Sequence, residues 1–222
     1  MGRVLVVRSV HHPSGNATVG ELMWLLGRIR PDVVFLEHAP SLHPRFMNRT
    51  LPTLEAAAIL GHLERHAPQL VPVDAEIDAA SIKQDSDALL HRLAALSLRY
   101  EQLDLLNAQQ TAQRGFVYLN SPDCASIQLE IEREMVATVQ AASDPGLTEL
   151  HRKWLALHDE RETAMIRGVE EFARESPFLK AVLLVGAAHG PSLYSRVNSR
   201  AAGRASAVSW EFDWPLSEDL SG

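Results

Sequence analysis

Apolar and β-branched residues come in short runs towards both ends of the chain, with helical spacing between them. Residues 3 to 10, RVLVVRSV, form an apolar run bounded by His11-His12-Pro13-Ser14-Gly15. That pattern predicts a buried strand entering a loop. Residues 18 to 30 place Val19, Leu22, Met23, Leu26 and Ile29 on one helical face, and Pro31-Asp32 ends the helix. VVFLEH from Val33 predicts a second buried strand, followed by a loop rich in Pro and His. Residues 53 to 66 predict a helix with Thr53 as N-cap and Glu55 in the first turn. QLVPVD, residues 69 to 74, predicts a short third strand, which Pro72 assigns to an edge or an irregularity. Such β-α-β-α-β order with short links implies a mostly parallel sheet with right-handed crossovers.

The middle of the chain changes period. Residues 78 to 113 carry a helical pattern without Gly or Pro. Residues 115 to 122 read as a break or a short strand, residues 123 to 142 as a helix, Asp144-Pro145-Gly146 as a turn, and 147 to 175 as a further helix. LKAVLLVG, 179 to 186, then predicts a buried strand, Pro191 opens a short helix, and SAVSWEF, 206 to 212, alternates as a last strand before an acidic, frayed tail. The expected fold is therefore α/β: a mostly parallel central sheet flanked by helices, read as one domain over 1–222. A helical insertion, about 78–175, separates the N-terminal β-α-β-α-β part from the C-terminal strand-helix-strand part.

Charge narrows the partners. Lys plus Arg is 21 and Asp plus Glu is 28, a net charge of −7. This argues against general binding to nucleic acid or to an anionic membrane. The single cysteine, Cys124, excludes an internal disulfide and a Cys-rich zinc site; at a predicted helix start it reads as an inert, partly buried thiol. No apolar stretch approaches the roughly 18 residues of a membrane helix, and the N-terminal apolar run is too short for a signal peptide. The expectation is a cytoplasmic protein. Phosphate-loop, dinucleotide, zinc-helix and nucleophile-elbow motifs do not occur.

The four predicted core strands end in chemistry: His11-His12, Glu37-His38, Asp74 with Glu76 beyond, and Gly186-Ala187-Ala188-His189. Ligands of open parallel sheets bind outside the carboxyl ends of the strands. One such histidine is more often a surface or capping residue. Four strand ends of four favour a shared site, able to hold a divalent metal or to act as acid and base without one. By composition, Glu160-Arg161-Glu162 reads as a solvated helix face beside core residues Met165, Ile166 and Val169.

These segments together resemble the TraB/TIKI superfamily, classed as metalloproteases and related to erythromycin esterases and ChaN-like haem-binding proteins. The carrying motifs, in order, are RSVHH, Pro31-Asp32-Val33-Val34-Phe35-Leu36-Glu37, VPVDAEI, Glu160-Arg161-Glu162-Thr163-Ala164-Met165 and Val185-Gly186-Ala187-Ala188-His189. Residues 4 to 76 and 158 to 198 carry the match. The first motif lacks the family's Gly: Arg8 or Ser9 stands there, depending on whether His11 or His12 takes the family role. Glu162 stands where the family has Asp.

The resemblance implies a metal-dependent hydrolase of peptide, ester or amide bonds. His11 or His12, Glu37 and His189 would hold a divalent ion such as Mn, Co or Zn. Glu37 would be ligand or base, Asp74 would hold a histidine or complete the coordination, and Arg161, with Glu160 beside it, would point into the site to meet a carboxylate or oxyanion. The erythromycin esterase kinship implies the alternative of metal-independent hydrolysis by a His–Glu pair. The ChaN-like kinship implies a non-catalytic binder of haem or peptide, with His38, His43 or His62 available as axial ligands. Expected partners are a small-molecule or peptide substrate and, through the long 78–113 helix with Leu89, Leu90, Leu93, Leu96 and Leu103, a second copy of the chain.

Overall fold

The computed structural model describes residues 1–77, 79–201 and 206–212. The expected acidic tail lies outside them. The strands are β1 Gly2–Ser9, β2 Val33–Leu36, β3 Gln69–Pro72, β4 Lys180–Gly186 and β5 Val208–Glu211. The helices are α1 Val19–Ile29, α2 His43–Met47, α3 Leu54–His62, α4 Ala79–Leu96, α5 Leu98–Leu119, α6 Pro122–Ala142, α7 Pro145–Glu175 and α8 Gly190–Ala201.

All strands run parallel in the order β3-β2-β4-β1-β5. The α/β class and the flanking helices are those the sequence predicts. β3 is an edge strand, where the missing N–H of Pro72 costs no interior ladder bond. Along the inner strands successive side chains alternate between faces. Leu5, Val7, Val34, Leu36, Val182 and Leu184 join α1 and α3 in one core. Val4, Val6, Val33, Phe35, Leu183 and Val185 join α7 and α8 in the other. Both faces are covered, which is why these strands read as unbroken apolar runs. A third core, with Leu89, Leu93, Tyr100, Leu103, Ile131, Met135 and Leu147, binds α4 to α7. α7 spans both worlds: Leu147 packs in the helical layer, while Met165, Ile166 and Val169 pack under the sheet.

Four expectations change. The 78–113 run is two helices, because Ser97 turns extended (φ −129°, ψ 110°) and its side chain accepts from Tyr100 N–H. A serine cap needs neither Gly nor Pro to break a helix. Residues 115 to 122 form no strand: α5 continues to Leu119 across a kink at Gly115 (φ 57°, ψ −139°). There the Phe116 N–H donates to Glu21 at 3.1 Å. A Cβ at Gly115 would also collide with the Glu21 carboxylate. Gly115→Ala should therefore cost about 3 kcal/mol, read as a lower denaturant midpoint at unchanged slope. A midpoint equal to wild type would contradict the kink. Finally, the loop after β2 contains α2, and α3 ends at His62 rather than 66. No described helix is long and apolar enough to cross a membrane.

Candidate functional site

Parallel register sets the strand ends side by side. Ser9 stands opposite Gly186, and Leu36 opposite both Leu184 and Pro72. His11, Glu37, Asp74 and His189 thus leave from neighbouring strands at one sheet edge.

Glu37 is the hub. Its Oε1 accepts from Arg161 Nη2 at 2.6 Å and lies 3.3 Å from His189 Nε2. Its Oε2 accepts the Gly186 N–H. Burial alone would raise its pKa; the charges of His189, Arg161 and His11 outweigh burial and hold it well below the usual carboxylate range. Arg161, on α7, also grips Asp74 through Nε at 3.0 Å and Nη2 at 2.7 Å. Asp74 in turn accepts from Ala75 N–H at 2.8 Å. One guanidinium therefore ties the ends of β2 and β3 to α7. Nη1 of Arg161 has no partner among the described residues.

His189 closes the short turn Ala187–His189 after β4 and is buried. Its Nδ1 lies 2.9 Å from Glu162 Oε1. Glu162 Oε2 accepts from Ser192 Oγ at 2.5 Å and Arg196 Nε at 2.7 Å. Burial pulls the His189 pKa down, but the Glu37 charge and the bonds to Glu162 and Glu37 prevail and raise it to about 9. The imidazolium is thus the neutral-pH form, hydrogen-bonded to Glu162 at Nδ1 and ion-paired with Glu37 at Nε2. Its stabilising contribution is complete below the unfolded value, 6.5, and is lost as pH rises through about 9. The gap in melting temperature between wild type and His189→Gln should narrow across that interval; a constant gap would contradict the ion pairs.

His11 differs in being open. Nδ1 is 2.9 Å from Glu55 Oε1, which also accepts from Ser9 Oγ at 2.6 Å. The His11 carbonyl accepts from Leu54 N–H at 2.8 Å, fixing the loop to the start of α3. Its Nε2 faces the hub: a Cβ built on Gly186 would stand 3.8 Å from His11 Nε2 and 3.6 Å from Glu37 Oε2. The side chain is 55% exposed. The Glu55 hydrogen bond chiefly raises its pKa.

Of the other expected residues, His12 is exposed in the loop, and Glu160 is exposed on the outer side of α7. The acid that turns inward is Glu162, because it shares the 162/165/166/169 stripe with Met165, Ile166 and Val169. His38 Nε2 and His43 Nδ1 bond each other at 3.2 Å over Phe46, and burial beside His43 lowers the His38 pKa to about 4. His62 is buried and stacks on His66. The three histidines available for haem therefore sit in two separate stacks. Cys124 is buried, and burial raises its pKa, as an inert thiol requires.

Do the residues fit a divalent ion? Glu37 has both oxygens engaged by N–H donors, one of them a guanidinium. Among the described residues the three ligand atoms mutually within 4.8 Å belong to His158, Glu162 and His189. Glu162 is taken by His189, Ser192 and Arg196. The His158 and His189 rings are stacked, centroids 4.7 Å apart and planes 28° from parallel, so their in-plane lone pairs run side by side rather than converge. An ion needs such lone pairs to meet at about 2.0–2.1 Å. The protein's own cations occupy the places of a metal, and the fit is poor.

Compared with models of known families, with curated proteins and with solved structures, the chain gives no match. Sequence reasoning missed Glu55, His158, Ser192 and Arg196. Glu162 had a visible signal, its place on the apolar stripe of α7. Glu55 had none beyond its first-turn position.

Proposed function

We propose that this chain is a metal-independent hydrolase of ester or amide bonds, with His11 as general base. The observation that carries this is the Glu55–His11 pair: an imidazole oriented by a carboxylate at Nδ1, with Nε2 open beside the buried Glu37–Arg161–His189 cluster. Water adds to the substrate carbonyl carbon as its proton passes to His11 Nε2. The carbonyl oxygen takes up the displaced electron pair and is met by Arg161 Nη1. Collapse breaks the C–O or C–N bond, and the leaving group recovers the proton from His11. Glu37 and Asp74 hold Arg161 in place; His189, locked as imidazolium, completes the charge balance around Glu37.

The test is turnover of a panel of chromogenic esters, anilides and short peptides by wild type and Glu37→Gln. Hydrolysis in the wild type reduced at least about 100-fold in the variant is expected. Equal rates in both would overturn the assignment. The pH profile should be bell-shaped. The acid limb reports His11 and lies above 6.5, since its pKa is raised. The alkaline limb reports His189, near 9.

A further inference from the structure

His189 acts on Glu37 only if its ring stays in one plane, and its own hydrogen bonds leave both faces of that ring to packing. One face is covered. The His158 ring lies on it with centroids 4.7 Å apart and planes 28° from parallel. Trp154, one turn earlier on α7, lies behind His158 at 3.9 Å, and His151 stands 6.4 Å behind Trp154. The residues sit at i, i+3 and i+7 of one helix, so α7 presents them as a continuous ladder ending on His189. Among the described residues His158 makes no hydrogen bond that would account for its burial: its Nδ1 is 3.9 Å from Glu162 Oε1, beyond hydrogen-bond reach. Its flat ring is the feature in use.

We propose that His158, backed by Trp154, is a positioning residue that clamps the His189 imidazole by stacking, so that Nδ1 stays on Glu162 and Nε2 on Glu37. A cation over a π-face is attracted to it, and a ring pair beyond a cation is favourable in offset stacking. The hydrogen bonds of Ser192 and Arg196 to Glu162, and of Glu162 to His189 Nδ1, fix the far end of His189. The proposal rests on the hydrolase reading for its kinetic arm alone.

The full chain, labelled with nitrogen-15 in its histidines, tests it through the imidazole N–H resonances. Wild type should show a slowly exchanging Nδ1–H of His189, assigned by its loss in His189→Gln. His158→Phe keeps a flat ring and should keep that resonance. His158→Leu fills the space without one and should speed its exchange about tenfold or more, at unchanged circular dichroism. Where substrate is turned over, Leu should lower kcat about tenfold with KM unchanged, and Phe should restore it. An unchanged resonance in Leu would overturn the clamp. So would Phe as damaging as Leu, the result expected if His158 acted through a nitrogen as ligand or proton carrier. Failure of hydrolysis in every protein with the resonance pattern intact would remove the hydrolase reading and leave the clamp standing.

Discussion

Replacing His11 by Asn should lower kcat/KM by about 10²–10⁴, with little change in stability. The Asn amide can still donate to Glu55 where Nδ1 does, so the anchor survives. What disappears is Nε2, the imidazole nitrogen that stands open beside Glu37. Because His11 is half exposed, the loss of packing is small, within about 0.5–1 kcal/mol. His189→Gln by contrast disturbs a buried group with two carboxylate partners, and loses both activity and stability. Rates and melting curves on the same preparations separate the two. Wild-type activity in His11→Asn would contradict its role as base.

The largest effect on stability belongs to Arg161→Leu. Glu37 and Asp74 are 6% and 7% exposed, and the guanidinium bonds to both. Its removal leaves two carboxylates buried with their main shared cation gone. Breaking a buried pair from one side costs about 3–5 kcal/mol, because the remaining charge is uncompensated. Arg161→Lys should recover only part of this, since a point charge cannot span the Nε–Nη2 edge that Asp74 uses. Denaturant titration measures both variants. A loss below about 1 kcal/mol for Leu would show that the pair is effectively solvated.

Much of this site was written into strand ends. A strand buried on both faces must be apolar until it ends, so the first ionisable residues after VVFL and AVLLV mark the sheet edge. That made Glu37 and His189 legible, and both-face burial made the parallel sheet legible too; Asp74 was legible only as the end of the short edge run QLVPV. Helix α7 was harder. Glu160, Arg161 and Glu162 look alike in composition, and only their angles on the helix separate an exposed acid from a buried one. The decisive clue was Glu162 in phase with Met165, Ile166 and Val169. The choice between His11 and His12 depended on where α3 begins, since Glu55 captures the first and nothing among the described residues anchors the second. No local pattern contains that long-range contact. The break at Ser97 and the kink at Gly115 were hidden because each is set by one residue's backbone within a favourable helical composition.

The central claim is that protein groups alone supply the charge at this site. The most direct test is hydrolysis of a responsive ester by chelator-treated protein whose metal content is measured by elemental analysis. Full activity with far less than one metal per chain, abolished in His11→Asn, is the expected result. Activity that vanishes on chelation and returns in proportion to added Mn, Co or Zn would contradict the claim. It would show that an ion displaces Arg161 from Glu37 in the working enzyme.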